Sequence, residues 1–252
     1  MLYRWLVGTR CERQSPVVAN PISETVSERL LNAIRRDIVL GNLAPGVRLR
    51  VDELSKRYGI SHIPVREALL HLAGERLVVL EPHKGAILRP VTPKFVADIH
   101  DTRAAIEGLL VRRATQRITD EELKTLDRLC GQHEIAAATG VAEDMSAANK
   151  AFHSFIAQVA DNPEASYILD QGWELVISLR FRFGLSPDRV KEIVSQHRDI
   201  VEAIRSRDPE RAMLAVKEHC DSAKEDLLSR MENERQLLTV DGKAVPAPVL
   251  DI

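Results

Sequence analysis

At 252 residues the chain has room for one or two domains, each able to bury a core. With 44% hydrophobic and 29% charged residues it has the composition of an ordinary soluble globular protein, and no apolar run approaches membrane length. A net charge of −2 excludes a chain-wide electrostatic attraction to nucleic acid. Aromatic residues are only 4%, so cores must be built from Leu, Ile, Val and Ala, which suits helices.

The charge is unevenly spread. Ser23 to Pro90 carries 11 Lys and Arg against 8 Asp and Glu, whereas Val91 to the end carries 21 against 28. A mildly basic module followed by an acidic one fits a DNA-binding head on a domain that does not touch DNA. Cys11, Cys130 and Cys220 are widely spaced, odd in number and include no CxxC, which points to a reducing cytoplasm. Met1 to Val7 is weakly apolar but interrupted by Arg4, too short for a signal segment.

Residues 1–22 lack helical periodicity and contain Pro16 and Pro21; a flexible arm is expected. Val26, Leu30, Leu31, Ile34, Ile38 and Val39 recur at helical spacing, predicting an amphipathic helix over 26–40 stopped by Gly41. Pro45–Gly46 makes a turn. Val51 to Tyr58 reads as a second short helix with Leu54 facing in, ended by Gly59 at a position suited to positive φ. A third helix follows from an N-cap at Ser61 to about Glu75, burying Val65, Leu69 and Leu72, and it tolerates Pro64 in its first turn. Two short β-rich pieces, 78–81 and 86–89, flank the turn Pro82–His83–Lys84–Gly85. Two helices joined by a tight turn and followed by a hairpin form a winged helix-turn-helix, a shape that fits the major groove.

In that arrangement the second helix of the pair presents its N-terminal residues to base edges. Those residues are Ser61, His62, Ile63 and Pro64, with Arg66 one turn on. Arg66 can make a bidentate contact to guanine or clamp a phosphate; its alternative is an internal salt bridge. Arg48, Arg50, Lys56 and Arg57 are placed for phosphates, and His83, Lys84 and Gly85 at the wing tip for the minor groove.

Beyond Thr92 no strand alternation appears. Helices are expected over 93–117, 120–138, 143–161, 164–184, 187–206 and 208–235, with breaks at Thr119–Asp120, Gly140, Asn162–Pro163, Ser186–Pro187 and Asp208–Pro209. The fold class is therefore mainly α: a winged helix-turn-helix followed by an all-α antiparallel bundle. The expected division is an arm (1–22), the DNA-binding domain (23–90), an effector-binding and dimerisation domain (91–235) and a loose tail (236–252).

Asn149 and His153 lie four apart on one helix, hence on one face, while His197 and His219 come from the last two helices. If they converge, three imidazoles and an amide oxygen make a divalent metal site with open positions. A histidine on a helix is as readily a surface or satisfied core residue. The remaining histidines (62, 71, 83, 100 and 133) show that this residue is not reserved for ligation.

The N-terminal words resemble the GntR superfamily of bacterial transcription regulators. They are Pro45–Gly46, Leu49 with Asp52–Glu53–Leu54, Tyr58–Gly59–Ile60–Ser61, Pro64–Val65–Arg66–Glu67–Ala68–Leu69, Leu72 and Pro82–His83–Lys84–Gly85. That family usually has Arg after the Ser that opens the recognition helix; this chain has His62, so Arg66 and Arg50 are the stronger candidates for DNA contact. The helical part resembles the FadR-type subgroup with an FCD effector domain. The matching residues are Asp101–Thr102–Arg103–Ala104–Ala105–Ile106–Glu107, Asn149 with Phe152–His153, Asp161–Asn162–Pro163, and the pair His197 and His219.

The resemblance implies that Asn149, His153, His197 and His219 hold a metal beneath an effector pocket. Zinc is the first expectation, and nickel, manganese or iron also suit imidazole. With neutral Asn149 where many relatives have Asp, the site keeps the full +2 charge, which weakens metal binding and strengthens attraction for an anion. A small organic acid is the expected effector, with Arg103, Arg180 and Arg182 able to pair with its carboxylate or, alternatively, to form surface salt bridges. The expected protein is a homodimeric, cytoplasmic, ligand-responsive repressor on a palindromic operator. The alternative is a metal-dependent hydrolase or lyase fused to a DNA-binding head. It lacks an HExxH-type motif, and Glu107 is its candidate general base.

Overall fold

The computed structural model describes residues 25–81, 85–237, 239–240 and 243–244. The expected arm, wing-tip residues His83 and Lys84, Cys11 and most of the expected tail lie outside the described residues.

Helix α1 (Val26–Val39) opens with a capping box. The Thr25 hydroxyl accepts from the Glu28 N–H, and the Glu28 carboxylate accepts from the Thr25 N–H. Its face Leu30, Ile34 and Ile38 is fully buried against α3 (His62–Gly74). Helix α2 (Val51–Tyr58) buries Leu54 and ends at Gly59, whose φ of 65° is the left-handed conformation anticipated there. Ser61 stands at the N-cap of α3, but its hydroxyl makes no capping hydrogen bond.

The wing is a three-stranded sheet in the order β1–β3–β2. Strands β2 (Val78–Glu81) and β3 (Gly85–Leu88) pair antiparallel from Val78↔Leu88 to Glu81↔Gly85. Strand β1 (Arg48–Leu49) adds Arg48↔Ile87 on the other edge. Two residues carry no periodicity, which is why β1 was not expected. The second wing strand starts at Gly85, one residue before the expected 86.

The helical part follows the expected breaks except at one place. Helices α4 (Pro93–Arg117), α5 (Asp120–Thr139), α6 (Ala142–Ala160), α9 (Pro187–Arg205) and α10 (Pro209–Leu237) match five of the six stretches to within a few residues. Four bundle helices begin on a side-chain cap with Pro in the first turn: Thr92 caps α4, Asn162 caps α7 (Pro163–Asp170), Ser186 caps α9 and Asp208 caps α10. The single helix expected over 164–184 is instead two, α7 (Pro163–Asp170) and α8 (Trp173–Phe183). Gly172, at φ 72°, redirects the chain between them. Apolar periodicity runs through this bend, so the sequence pattern hides it.

Helix α4 lies along α10; α6 packs on α4 and α5, and α9 on α5 and α10. Leu110, Leu126, Phe152, Ile200 and Ile204 fill the interior. A smaller core joins α4, α8 and α10 through Val96, Val176, Leu179 and Leu227. Leu175 of α8 is buried among residues of the DNA-binding head rather than of the bundle, alongside Phe95. The short strands β4 (Thr239–Val240) and β5 (Lys243–Ala244) pair after α10.

Candidate effector site and nucleic-acid interface

The start of α3 is a solvent-facing surface. Ser61, His62, Ile63 and Arg66 are exposed, and Ile63 is 71% exposed although large and apolar. Arg66 forms no ion pair with another described residue, so the internal salt bridge considered for it is absent among them. Its neighbours are partly engaged. His62 Nε2 lies 3.2 Å from Asp52, Arg50 Nη1 3.3 Å from Glu53 and Arg57 Nη2 2.9 Å from Asp37. Arg48 and Lys56 are exposed, Pro64 is half-buried, and Gly85 is exposed at the first position of β3.

The bundle forms a partly open cavity of about 660 Å³, within the usual size of a small-molecule site. His153 of α6 and His219 of α10 line it, with His197 of α9 buried behind them, and the candidate ligand nitrogens of the three all lie within 4.8 Å of one another. His219 Nδ1 sits 3.0 Å from Gln196 Oε1, and His153 Nδ1 3.4 Å from Glu107 Oε2. Each contact engages one ring nitrogen and leaves Nε2 of that ring available, an orientation typical of metal-bound imidazoles. Among the described residues His197 has no hydrogen-bond partner on either nitrogen, and it has no solvent exposure. Burial pushes the imidazoles of His197 and His219 well below their usual range. It lowers His153 too, against the opposing pull of Glu107. Burial thus favours the neutral form of all three, the protonation state a metal ligand needs.

Glu107 organises the second layer. Burial would raise its carboxyl, but Arg103 and His153 outweigh that and keep it ionised. Arg103 Nη2 donates to Glu107 at 2.6 Å and Nη1 to the Leu169 carbonyl at 2.8 Å, and the guanidinium lies 3.8 Å from the centre of the Trp173 ring. Arg103 borders the cavity but is fully engaged. Arg180 also borders it, paired with Asp226 and the Ala223 carbonyl. Asn149 borders it one turn before His153. Arg182 does not line the cavity: it pairs with Glu234 of α10 at 2.7 Å and is half-exposed. Residues two apart on a helix point to opposite sides, so Arg180 and Arg182 cannot both face the cavity.

Three residues outside the sequence reading belong to this site. His133 lies against His197 with ring centres 4.4 Å apart and planes tilted by 58°, and burial lowers its pKa to about 4. Gln196 sits beside a ligand residue in sequence and orients His219. Arg189, at the start of α9, is 4% exposed and borders the cavity. None has a periodic or motif signal, because the cavity is assembled from six helices.

The chain matches two family descriptions: bacterial regulatory proteins of the gntR family over residues 26–88, and the FCD domain over residues 98–222. It is 30% identical to the HTH-type transcriptional repressor RspR of Escherichia coli K12, over 85% of this chain and 94% of that protein. Its fold is similar to that of E. coli McbR/YncC, with a TM-score of 0.70, 22% identity and coverage of 82% of this chain and 99% of the other. It is also similar to a putative GntR regulator from Rhodococcus sp. RHA1, with a TM-score of 0.65, 20% identity and coverage of 81% and 97%. No helix among the described residues is long and apolar enough to cross a membrane. These relatives are regulators and not enzymes, which sets aside the hydrolase or lyase alternative. An exposed reading helix on a wing, joined to a helical bundle around a histidine-walled cavity, together with these matches, identifies the chain as a DNA-binding transcriptional regulator that belongs to the GntR family and carries an FCD domain.

Proposed function

We propose that this regulator is a cytoplasmic, homodimeric repressor whose cavity binds a divalent metal and a small carboxylate, and whose operator affinity changes when the carboxylate binds. The reading as a repressor leans on the relative RspR, which is named as one. Dimerisation would place two α3 helices on the half-sites of a palindrome. Arg66, Arg50, Arg48, Lys56, Ser61, His62, Ile63, Pro64 and Gly85, with His83 and Lys84 at the wing tip, are the proposed DNA contacts.

The observation that carries the metal reading is His197. A buried imidazole with two partnerless nitrogens costs about 1–3 kcal/mol per unsatisfied polar atom. A cation held by His153, His197 and His219, with Asn149 as a further oxygen donor, removes that cost at the His197 nitrogen that binds it. Such a cation would supply a positive centre for an effector carboxylate. The protein's own part is positional: Gln196 and Glu107 aim the imidazoles, and Arg103 with Trp173 walls the cavity. Zinc fits a neutral three-imidazole set, as nickel, manganese or iron also do.

The test is a thermal-shift screen of small acids on protein stripped with chelator and then reloaded with zinc, alongside a His197→Ala/His219→Ala double variant. The parent should retain about one zinc per chain and melt higher with acid only when zinc is present. The double variant should lose both while still binding the promoter region of its own gene. Full acid response in the chelated parent would sink the metal reading.

A further inference from the structure

Among the cations bordering the cavity, Arg189 stands apart. The guanidinium of Arg103 is taken up by Glu107, Leu169 and Trp173, and that of Arg180 by Asp226 and Ala223. Arg189 uses only Nη1, which lies 2.7 Å from Glu192 and 3.3 Å from Gln196 Oε1. Its Nε and Nη2 are buried and find no acceptor among the described residues. Those two nitrogens form one edge of the guanidinium, the fork that receives both oxygens of a carboxylate.

The location makes the open edge harder to explain as a structural feature. Arg189 is the third residue of α9, where the helix dipole disfavours a positive charge. A buried charge with unmet donors is costly and is normally paired or removed. No second acid among the described residues pairs with it: Glu192 is already spent on Nη1, and Glu107 is shared by Arg103 and His153. What is missing is an acceptor with two oxygens, and the residue that lacks it borders a partly open cavity.

The fork is also tied to the histidine wall. Gln196 Oε1 accepts from Arg189 Nη1 and from His219 Nδ1 alike, so one side-chain amide sets the spacing between guanidinium and imidazole. A molecule with one acidic group at the imidazoles and a second at the Arg189 edge would need only a short carbon chain between them. We infer that Arg189 is the specificity-determining residue of the cavity and that it selects a short-chain dicarboxylate over the matching monocarboxylate. This inference rests on the carboxylate reading proposed above and narrows it.

The experiment uses the full chain loaded with zinc and titrated calorimetrically with malonate, succinate and glutarate, and with the monoacids of equal carbon number, propionate, butyrate and valerate. At least one diacid should bind tenfold or more tightly than its monoacid. Arg189→Met should weaken that diacid by about tenfold to a hundredfold, the loss expected for a bidentate charged contact, and leave zinc stoichiometry unchanged. Arg189→Lys, which keeps the charge but not the fork, should recover only part of the diacid affinity. Without ligand the Met variant should melt within a few degrees of the parent, because the loss of the Nη1 contacts to Glu192 and Gln196 is offset by removing two buried donors that have no acceptor; a purely structural arginine would give a clearly lower melting temperature. Should the Met variant fail to fold, the Lys variant decides, since it must lose most of the diacid preference. Equal binding of diacid and monoacid by the parent, or full diacid affinity in the Lys or Met variant, overturns the role of Arg189 and leaves the carboxylate reading standing. Binding of neither series overturns both.

Discussion

The head and the bundle handle their working residues in opposite ways. In the head they are exposed and close in sequence: Ser61, His62, Ile63 and Arg66 lie within six positions and face solvent. In the bundle they are buried and scattered: His100, His133, His153, His197 and His219 come from five helices and surround one cavity, except His197, which is wholly enclosed behind it. A surface that docks on a large rigid partner needs shape and unmet charge on the outside. A site for a small ligand needs unmet polar groups kept away from water, where each is worth more and where a wrong ligand leaves it unpaired. The contrast is sharpest in protonation, and that is where it is most easily broken.

Acid should strike the bundle first. Burial lowers His100 to about 3 and His133 to about 4, and drives His197 and His219 well below 6.5. Groups depressed in the folded state contribute stability that is intact above their unfolded value of 6.5 and is lost as pH falls toward the folded values. At pH 5.5 each such histidine costs about 1.4 kcal/mol, so four of them remove on the order of 5 kcal/mol from the chelated protein. In the head, His62 and His71 are exposed. Hydrogen exchange between pH 7 and 5.5, corrected for its intrinsic pH dependence, should show α5, α9 and α10 losing protection before α1 and α3. Equal losses in both regions would mean that the imidazoles are not held neutral.

The two regions meet in α8, and the next prediction acts there. Trp173, Ile177, Arg180 and Phe181 of this helix border the cavity, while Leu175 is fully buried in the head core. Glu174 is raised by burial and lies within electrostatic reach of Arg35 and Glu75 of the head. One helix therefore touches both the ligand space and the DNA-reading unit. Leu175→Ala should cost about 2–5 kcal/mol of stability, read by urea denaturation, because the hole it leaves lies in a closed core. Operator affinity should persist, but its response to carboxylate should shrink. An undiminished response would show that α8 does not carry the coupling.

Arg66→Ala tests the exposed side of the contrast. It should weaken operator binding by about 1–3 kcal/mol per half-site, measured by fluorescence anisotropy at fixed salt. Melting temperature and zinc content should stay at parent values, since surface changes of this kind move stability by less than about 0.5 kcal/mol. A stability loss of several kcal/mol would mean that Arg66 is a packing residue.

The same contrast governs what was legible in the sequence. Helix-turn-helix words are contiguous because one short helix does the reading, so Pro64–Val65–Arg66–Glu67–Ala68–Leu69 announced both fold and surface. Helix ends in the bundle were legible wherever a cap and a proline coincide, as at Asn162–Pro163 and Ser186–Pro187. The bend at Gly172 was not, because glycine also occurs inside helices and the apolar spacing continues across it. His153, His197 and His219 were legible through resemblance; spacing alone does not bring three helices together. His133, Gln196 and Arg189 were not, since their significance lies in their surroundings: a tilted neighbouring ring, a shared oxygen and an empty guanidinium edge.

Arg182 supplies the smallest expected effect and the cleanest control. It lies two positions after Arg180, yet it pairs with Glu234 outside the cavity, with both partners more than a third exposed. A single solvent-exposed ion pair is worth at most about 1 kcal/mol and is screened by salt. Arg182→Ala should therefore leave zinc binding, carboxylate response and operator affinity at parent levels and lower the melting temperature by no more than a few degrees. Arg180→Ala, in the same helix and facing the cavity, should change the carboxylate response. If Arg182→Ala also abolished that response, then α8 would have to turn by about half a revolution when ligand binds, and the division into an exposed face and an enclosed one would fail at this helix.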